Sequence, residues 1–282
     1  MAILSTATTI KKAEAIALGG FDGMHLGHQE LFKRLGKNGA IVVIENGYST
    51  LTPDGVRERH TDYPVVYLEL EKIKHLEADE FIELLRGYFP HLKKIVVGYD
   101  FHFGRDRKYS AAYLQKVCSA EVEIVDEVKI EGISVHSRHI REMIRRGDIK
   151  LANRLLGYNY TMIGSVEKGQ GIGAKELVAT INIHTERFEV PKEGVYVTLT
   201  RIDEEEHYHP SVSFIGHRVT TDGSFAIESH ILDSEVQCME KAEISFVDFL
   251  RDNRKFDSLS ELKEQIQKDI KMAQKELKML AL

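Results

Sequence analysis

Gly19-Gly20-Phe21-Asp22-Gly23-Met24-His25-Leu26-Gly27-His28 is the stretch on which the reading of this chain turns. It follows an apolar run, Ala15 to Leu18, and precedes a helical pattern over Gln29 to Leu35 in which Leu31 and Leu35 share a face. Two histidines three residues apart therefore fall at a strand-to-helix turn. Helix N-termini present unpaired N–H groups and a partial positive charge, so anions such as phosphate collect there. Glycines let the backbone approach such an anion with no Cβ in the way. Imidazoles on the same turn can donate hydrogen bonds to oxygens on which negative charge develops at a reacting phosphorus. A His-x-x-His pair alone is more often ordinary histidine than a catalyst; the glycines and the Phe-Asp-Gly step around it are what point to chemistry.

Working outward, short apolar runs alternate with amphipathic stretches through the first half. Ala15–Leu18, 40–44, 65–70, 94–97 and 122–125 read as buried strands, and 29–35, 79–88 and 111–117 as helices. That alternation predicts a parallel sheet with right-handed crossovers, whose ligands sit beyond the carboxyl ends of the strands. Residues 137–156 read as two helices punctuated by Gly147-Asp148, with Gly157 as a C-cap. Beyond it, strands follow one another over 162–166, 177–183, 194–200, 211–215 and 225–232, with a further short element at 244–250. They predict an antiparallel sheet or small barrel. Leu259 to Leu280 reads as a charged helix with an apolar stripe at Leu262, Ile266, Ile270 and Leu277. A boundary near Gly157 divides the chain into domains 1–157 and 158–282.

Composition narrows the partners. The 282 residues suffice for two cores, and 43% hydrophobic with 29% charged residues is a globular balance. A net charge of -6 gives no basic field for nucleic acid. The two cysteines, Cys118 and Cys238, lack metal-ligand spacing and suit a reducing cytoplasm. No signal peptide and no membrane span are read.

The Gly-x-Phe-Asp-Gly-x-His-x-Gly-His run resembles the signature of the bacterial bifunctional riboflavin kinase/FAD synthetase family. The resemblance implies a Rossmann-like nucleotidylyltransferase domain in which Gly19, Gly20, Phe21, Asp22 and Gly23 cradle nucleotide phosphates while His25 and His28 act in catalysis. Gly98 to Gly104 is similar to a family segment that shapes the flavin site, through Asp100, Phe101 and Gly104; an aromatic core turn is the other reading of its phenylalanines. Ser137 and Arg141 match a Ser-Ser-Thr-x-Ile-Arg element that would face triphosphate oxygens, with His136 and Arg138 in place of hydroxyl residues. Ile44 to Ser49 stands where the family carries Phe-x-Pro-His-Pro.

In the second half, the Gly169, Gly171, Gly173 run followed by Thr180 and Asn182 resembles a riboflavin kinase loop and its Pro-Thr-Ala-Asn motif. It implies Mg²⁺ held by Thr180 and Asn182 beside ATP phosphates, with Ala179 and Ile181 as departures. Glu228 matches the catalytic carboxylate, Arg218 and Arg251 fall at flavin-facing places, and Phe214 replaces a common asparagine. The resemblance as a whole implies an α/β nucleotidylyltransferase domain with a carboxy-terminal antiparallel riboflavin kinase barrel and its terminal helix. That protein would phosphorylate riboflavin to FMN with ATP and adenylylate FMN to FAD. Two other readings stand beside it: another nucleotidylyltransferase, of the pantetheine-phosphate or nicotinate-nucleotide type, and a flavin-binding regulator with weakened catalysis.

Overall fold

Strands apolar at every position need cover on both faces, and the first half of the chain is organised around that need. A computed structural model describes residues 11–167, 179–203, 205–218, 223–232 and 240–280, without the Leu280 side chain. Strands β1 (Ala15–Gly19), β2 (Gly39–Glu45), β3 (Val65–Glu69), β4 (Lys94–Gly98) and, after a hairpin of β5 (His102–Phe103) and β6 (Tyr109–Ser110), β7 (Glu121–Val125) are the predicted runs, each shifted by no more than a residue or two at its ends. The five long strands form one parallel sheet in the order β3-β2-β1-β4-β7. Ile16, Leu18, Val42, Ile95 and Val97 face one layer with Phe81, Leu85 and Leu114; Ala17, Ile41, Val43 and Val96 face the other with Leu31 and Phe32. The chain runs outward from β1 in both directions, so β1 and β4 flank the topological switch point where ligands of such sheets bind.

The helices are α1 (Leu26–Phe32), α2 (Leu70–Ile73), α3 (Ala78–Tyr88) and α4 (Ala111–Val117), with a 3₁₀ turn over Asp54–His60. The first begins three residues before the predicted Gln29. His25 caps it with its own side chain, Nδ1 accepting the His28 N–H at 3.3 Å, a role that the usual cap residues would not have suggested. A small hairpin, β8 (Lys129–Ile130) and β9 (Ile133–Ser134), precedes α5 (Ser137–Arg146) and α6 (Ile149–Leu156). Gly147 and Gly157 have φ of 82° and 84°, the left-handed conformation that the predicted breaks require.

By internal contacts the chain divides into two compact units, Met1–His139 and Ile140–Leu282. In the second, β10 (Thr161–Glu167), β11 (Ile181–His184), β12 (Gly194–Ile202), β13 (His209–His217), β14 (Phe225–Ile231) and β15 (Lys241–Asp252) close a barrel in the order β10-β11-β14-β13-β12-β15. The element expected as short at 244–250 is a 12-residue strand paired to both β10 and β12, and this double pairing closes the barrel. Leu177, Val178 and the glycine run at 169–173 lie outside the described residues.

Alternation along the strands separates two environments. Val197 and Val247 pack with Ala273 of α7 (Leu259–Leu280), joined by the half-buried Leu199, Val212, Leu250 and Leu277. Asp269, 2% exposed, is the most buried residue of that helix after Ala273, and it accepts from the Arg251 guanidinium at 2.7 to 3.0 Å. On the alternate positions, Thr198, Ser211, Thr200, Ser229 and Ser213 are buried and linked hydroxyl to hydroxyl in a closed five-membered ring, four links at 2.8 Å and one at 3.1 Å. Each oxygen in such a ring can donate once and accept once, so no polar atom is left over. Thr200→Val removes one member and strands two buried neighbours. The barrel is expected to lose about 1–3 kcal/mol, read from denaturant unfolding of the full chain; unchanged unfolding would mean the ring contributes nothing.

Candidate functional sites

The turn after β1 is strained and heavily anchored. Phe21 and Met24 have φ of 48° and 38°, unusual for large side chains, and both are buried, so packing holds them where the backbone alone would not. The Asp22 carboxylate, 9% exposed, accepts backbone N–H bonds from Thr50 at 3.3 Å and from Leu51 and Thr52 at 3.0 Å. Gly23 N–H donates to Thr52 Oγ1 at 2.8 Å. From the other side, the Ser137 hydroxyl donates to the Asp22 carbonyl at 2.6 Å. Gly27 is tightly enclosed: a Cβ there would lie 3.2 Å from both the His25 ring and the Val135 carbonyl. Gly19 and Gly20 lead into the turn from the end of β1. The Glu45–Thr52 segment and the start of α5 thus clamp the turn from two directions.

Within the clamp, the rings of His25 and His28 stack at 3.5 Å between centroids and 18° between planes, and Phe21 meets His28 edge-on at 5.1 Å. Accepting an N–H at Nδ1 fixes the proton of neutral His25 on Nε2, as a donor. His28 is half-buried as a residue, yet its Nδ1 is closed off with no hydrogen-bond partner among the described residues. Burial first, then the nearby His25, Arg57 and His136, holds the His28 imidazole pKa well below the ordinary range. His136 Nε2 lies 3.1 Å from the Tyr99 hydroxyl, and Glu127 is 3.8 Å away. Ser134 and Lys129 hold that carboxylate down at about 2.

The other amino-terminal candidates divide. Phe101 is 9% exposed, stacks on Phe103 at 5.9 Å and belongs to the core, whereas Asp100 is exposed beside it. Gly104 has φ of 73°, and a Cβ there would strike the Tyr109 ring at 2.5 Å. Arg141 lies one turn beyond Ser137 on α5. Arg57 was not singled out in the sequence: it is fully buried, and its Nη1 donates to Glu45 Oε2 at 2.9 Å. An arginine set between Val56 and Glu58 in a charged stretch, with Arg59 two residues on, carries no signal of burial in the sequence.

In the barrel, three residues far apart in sequence come together. Asn182 of β11 and Glu228 of β14 are cross-strand partners. The Arg218 guanidinium bridges them, donating to Glu228 Oε1 at 2.6 and 2.8 Å and to Asn182 Oδ1 at 2.6 Å, with Ser224 Oγ at 2.8 Å. Thr180, half-buried, lies two residues before Asn182. A hydroxyl, an amide oxygen and a carboxylate are hard donors of the kind Mg²⁺ takes, and the guanidinium seated on two of them is already a cation in that place. Among the described residues no cluster of three or more His, Cys, Asp or Glu side chains could hold a metal. Arg251 is drawn to Asp269 of α7 and does not join this group through any of its described hydrogen bonds. No described helix is long and apolar enough to cross a membrane.

The depressed His28 pKa has a measurable consequence. An unfolded imidazole titrates near about 6.5, while the folded one resists the proton, so the unfolded chain binds more protons below that pH. The stability that this difference confers is complete above it and is lost as pH falls towards the folded pKa. His28→Gln is expected to flatten stability against pH below about 6.5, and the His28 Cε1–H resonance of the parent to titrate below those of exposed histidines. A His28 titration at the ordinary midpoint would contradict the burial argument.

A riboflavin kinase family model matches residues 156–277, and an FAD synthetase family model matches 7–44 and 56–139. A bifunctional riboflavin kinase/FMN adenylyltransferase of Listeria monocytogenes is 30% identical over 91% of this chain and 90% of its own length. One of the same name from Haemophilus influenzae is 29% identical over 96% of both. A crystal structure from Streptococcus pneumoniae, described as a macrolide-efflux protein, is similar with a TM-score of 0.80 and 29% identity over 93% of each chain. With two constellations in two units and relatives matched over nearly their full length, this chain belongs to the bifunctional riboflavin kinase/FMN adenylyltransferase family.

Proposed function

We propose that this chain makes FAD in two steps on two sites: its barrel transfers the γ-phosphoryl group of ATP to riboflavin, and its parallel-sheet unit transfers AMP from a second ATP to FMN. We place the division of labour near Gly157, where α6 ends in a left-handed cap. The observation that carries the reading is the convergence of Asn182, Arg218 and Glu228, read from the sequence as metal ligand, flavin contact and base, onto one set of hydrogen bonds.

In the kinase step, Glu228 accepts the proton of the ribityl terminal hydroxyl as that oxygen bonds to the γ-phosphorus and the bond to ADP breaks. Thr180 and Asn182 are the residues that would hold Mg²⁺, which supplies charge neutralisation on the phosphates when bound. Arg218 pairs with the base in the ligand-free barrel, so that pair opens before Oε1 can take a proton. Gly169, Gly171 and Gly173, outside the described residues, keep the phosphate-loop role that their resemblance implies.

In the adenylyl step, an FMN phosphate oxygen bonds to the α-phosphorus of ATP and pyrophosphate leaves. His25, with its proton on Nε2, and His28 donate to the oxygens that gain charge. Gly19, Gly20, Phe21 and Gly23 shape the backbone around them, and Asp22 acts through the turn it pins. Ser137 fastens α5 to that turn, and Arg141, one turn later, carries positive charge for the triphosphate. Asp100, Phe101 and Gly104 form the flavin side, Phe101 as the buried base on which exposed Asp100 is presented. Arg251 acts on flavin indirectly, through the helix it ties to the barrel.

Purified protein given riboflavin, ATP and Mg²⁺, with products separated by chromatography, tests the whole reading: FMN and then FAD are expected, and neither would overturn it. His28→Ala is expected to lower FAD formation from FMN by about 100-fold or more and leave riboflavin phosphorylation near the parent rate. Glu228→Gln is expected to do the reverse, slowing FMN production by roughly 10²- to 10⁴-fold while FMN adenylylation persists. Equal loss of both activities in either folded variant would contradict two independent sites.

A further inference from the structure

Arg57 is the most deeply buried charged side chain among the described residues, at 0% exposure. Burying a guanidinium is costly unless its surroundings compensate, and this one is only partly compensated. Nη1 donates to Glu45 Oε2 at 2.9 Å, Nη2 donates to the Ser49 hydroxyl, and Nε is buried with no partner. Both partners belong to one segment, which leaves β2 at Glu45 and reaches Thr50–Thr52, whose amides bind Asp22. The 3₁₀ turn that carries Arg57 touches the catalytic region a second time, since Gln29 Nε2 donates to Met24 O at 3.0 Å and lies 3.4 Å from His60 O. Residues 45–55 lie between the two stretches matched by the FAD synthetase family model.

We propose that Arg57 is a positioning residue for adenylyl transfer: it fixes the Glu45–Thr52 segment, and through the Thr50–Thr52 amides on Asp22 it holds His25 and His28 in their stacked arrangement. The inference rests on the adenylyltransferase reading of that turn. Arg57 touches neither histidine through a described hydrogen bond; it acts through the segment it pins and through its charge. The ionisable groups around His28 are His25 and Asp22 in its own turn, Arg57 with its partner Glu45, and His136 with Tyr99 and Glu127 against it. A permanent cation among them opposes protonation of His28.

Pin and charge can be separated in the full-length chain, with FMN and Mg²⁺-ATP as substrates and riboflavin phosphorylation as the internal control. Arg57→Lys keeps the charge but loses the two-pronged grip; kcat for FAD formation is expected to fall roughly 10- to 100-fold, with the acid midpoint of the rate profile unmoved. Arg57→Met loses both, so kcat falls and the acid midpoint moves to higher pH. Ser49→Ala, which disturbs packing least, is expected to lower kcat with the midpoint of the parent. Should Arg57→Met unfold the first unit, Ser49→Ala and Arg57→Lys decide alone: parent kcat in both overturns the proposal. Parent kcat and parent midpoint in a folded Arg57→Met also overturn it. A parent chain that makes FMN but no FAD overturns the adenylyltransferase reading and this inference with it, whereas FAD formation indifferent to all three substitutions overturns only the role of Arg57.

Discussion

The Asp22 carboxylate is the joint on which the amino-terminal site depends. A single ionised side chain gathers three consecutive backbone amides of a segment 28 to 30 residues away, and its own carbonyl receives the hydroxyl that starts α5. Charge-assisted hydrogen bonds of this kind are about twice as strong as neutral ones, which suits a turn whose Phe21 and Met24 sit in a disfavoured backbone region. Strain there is sustained because Phe21, Met24 and Leu51 are buried around it. Removal of the carboxylate would free the three amides and the turn together.

Three of the arginine–carboxylate pairs among the described residues illustrate how one interaction type serves different ends. Arg251 and Asp269 fasten the last helix to the barrel, with the carboxylate almost wholly enclosed. Arg57 and Glu45 are the mirror case, with the guanidinium enclosed and the carboxylate partly open. Arg218 and Glu228 are each about one-fifth exposed, so water and ligands reach both. A pair left accessible at the edge of a barrel can exchange partners; an enclosed pair costs too much to open. The Arg251 and Arg57 pairs each have one partner enclosed, and the Arg218 pair has neither.

Much of this was legible in the sequence because it is written in local patterns. The parallel strands are largely apolar runs and the α5–α6 break is a glycine, so period and punctuation sufficed there; on α7 the buried positions are Asp269 and Ala273, and of the predicted stripe Leu277 joins them in the packed cluster. The cross-strand meeting of Asn182 and Glu228 came from resemblance alone, since nothing in either segment encodes its partner. Three features were not legible. The length of β15 was hidden because a strand that closes a barrel pairs on both sides and can carry charge at its ends, as Lys241, Arg251 and Asp252 do. The start of α1 was misplaced because histidine is not among the usual caps. The Arg57 clamp was hidden because burial of a charged residue is decided by tertiary packing, against its propensity.

The hydroxyl ring of the barrel also acts on folding accuracy. Its members come from three neighbouring strands, β12, β13 and β14, each contributing residues of one parity. A slip of one residue in either pairing would turn a whole set of side chains to the other face, exchanging hydroxyls for the valines and leucines that meet α7. Apolar contacts alone discriminate weakly between neighbouring registers, because one branched side chain substitutes passably for another. A closed ring of donors and acceptors is complete in only one alignment. The ring therefore favours one register of β12, β13 and β14 over its neighbours.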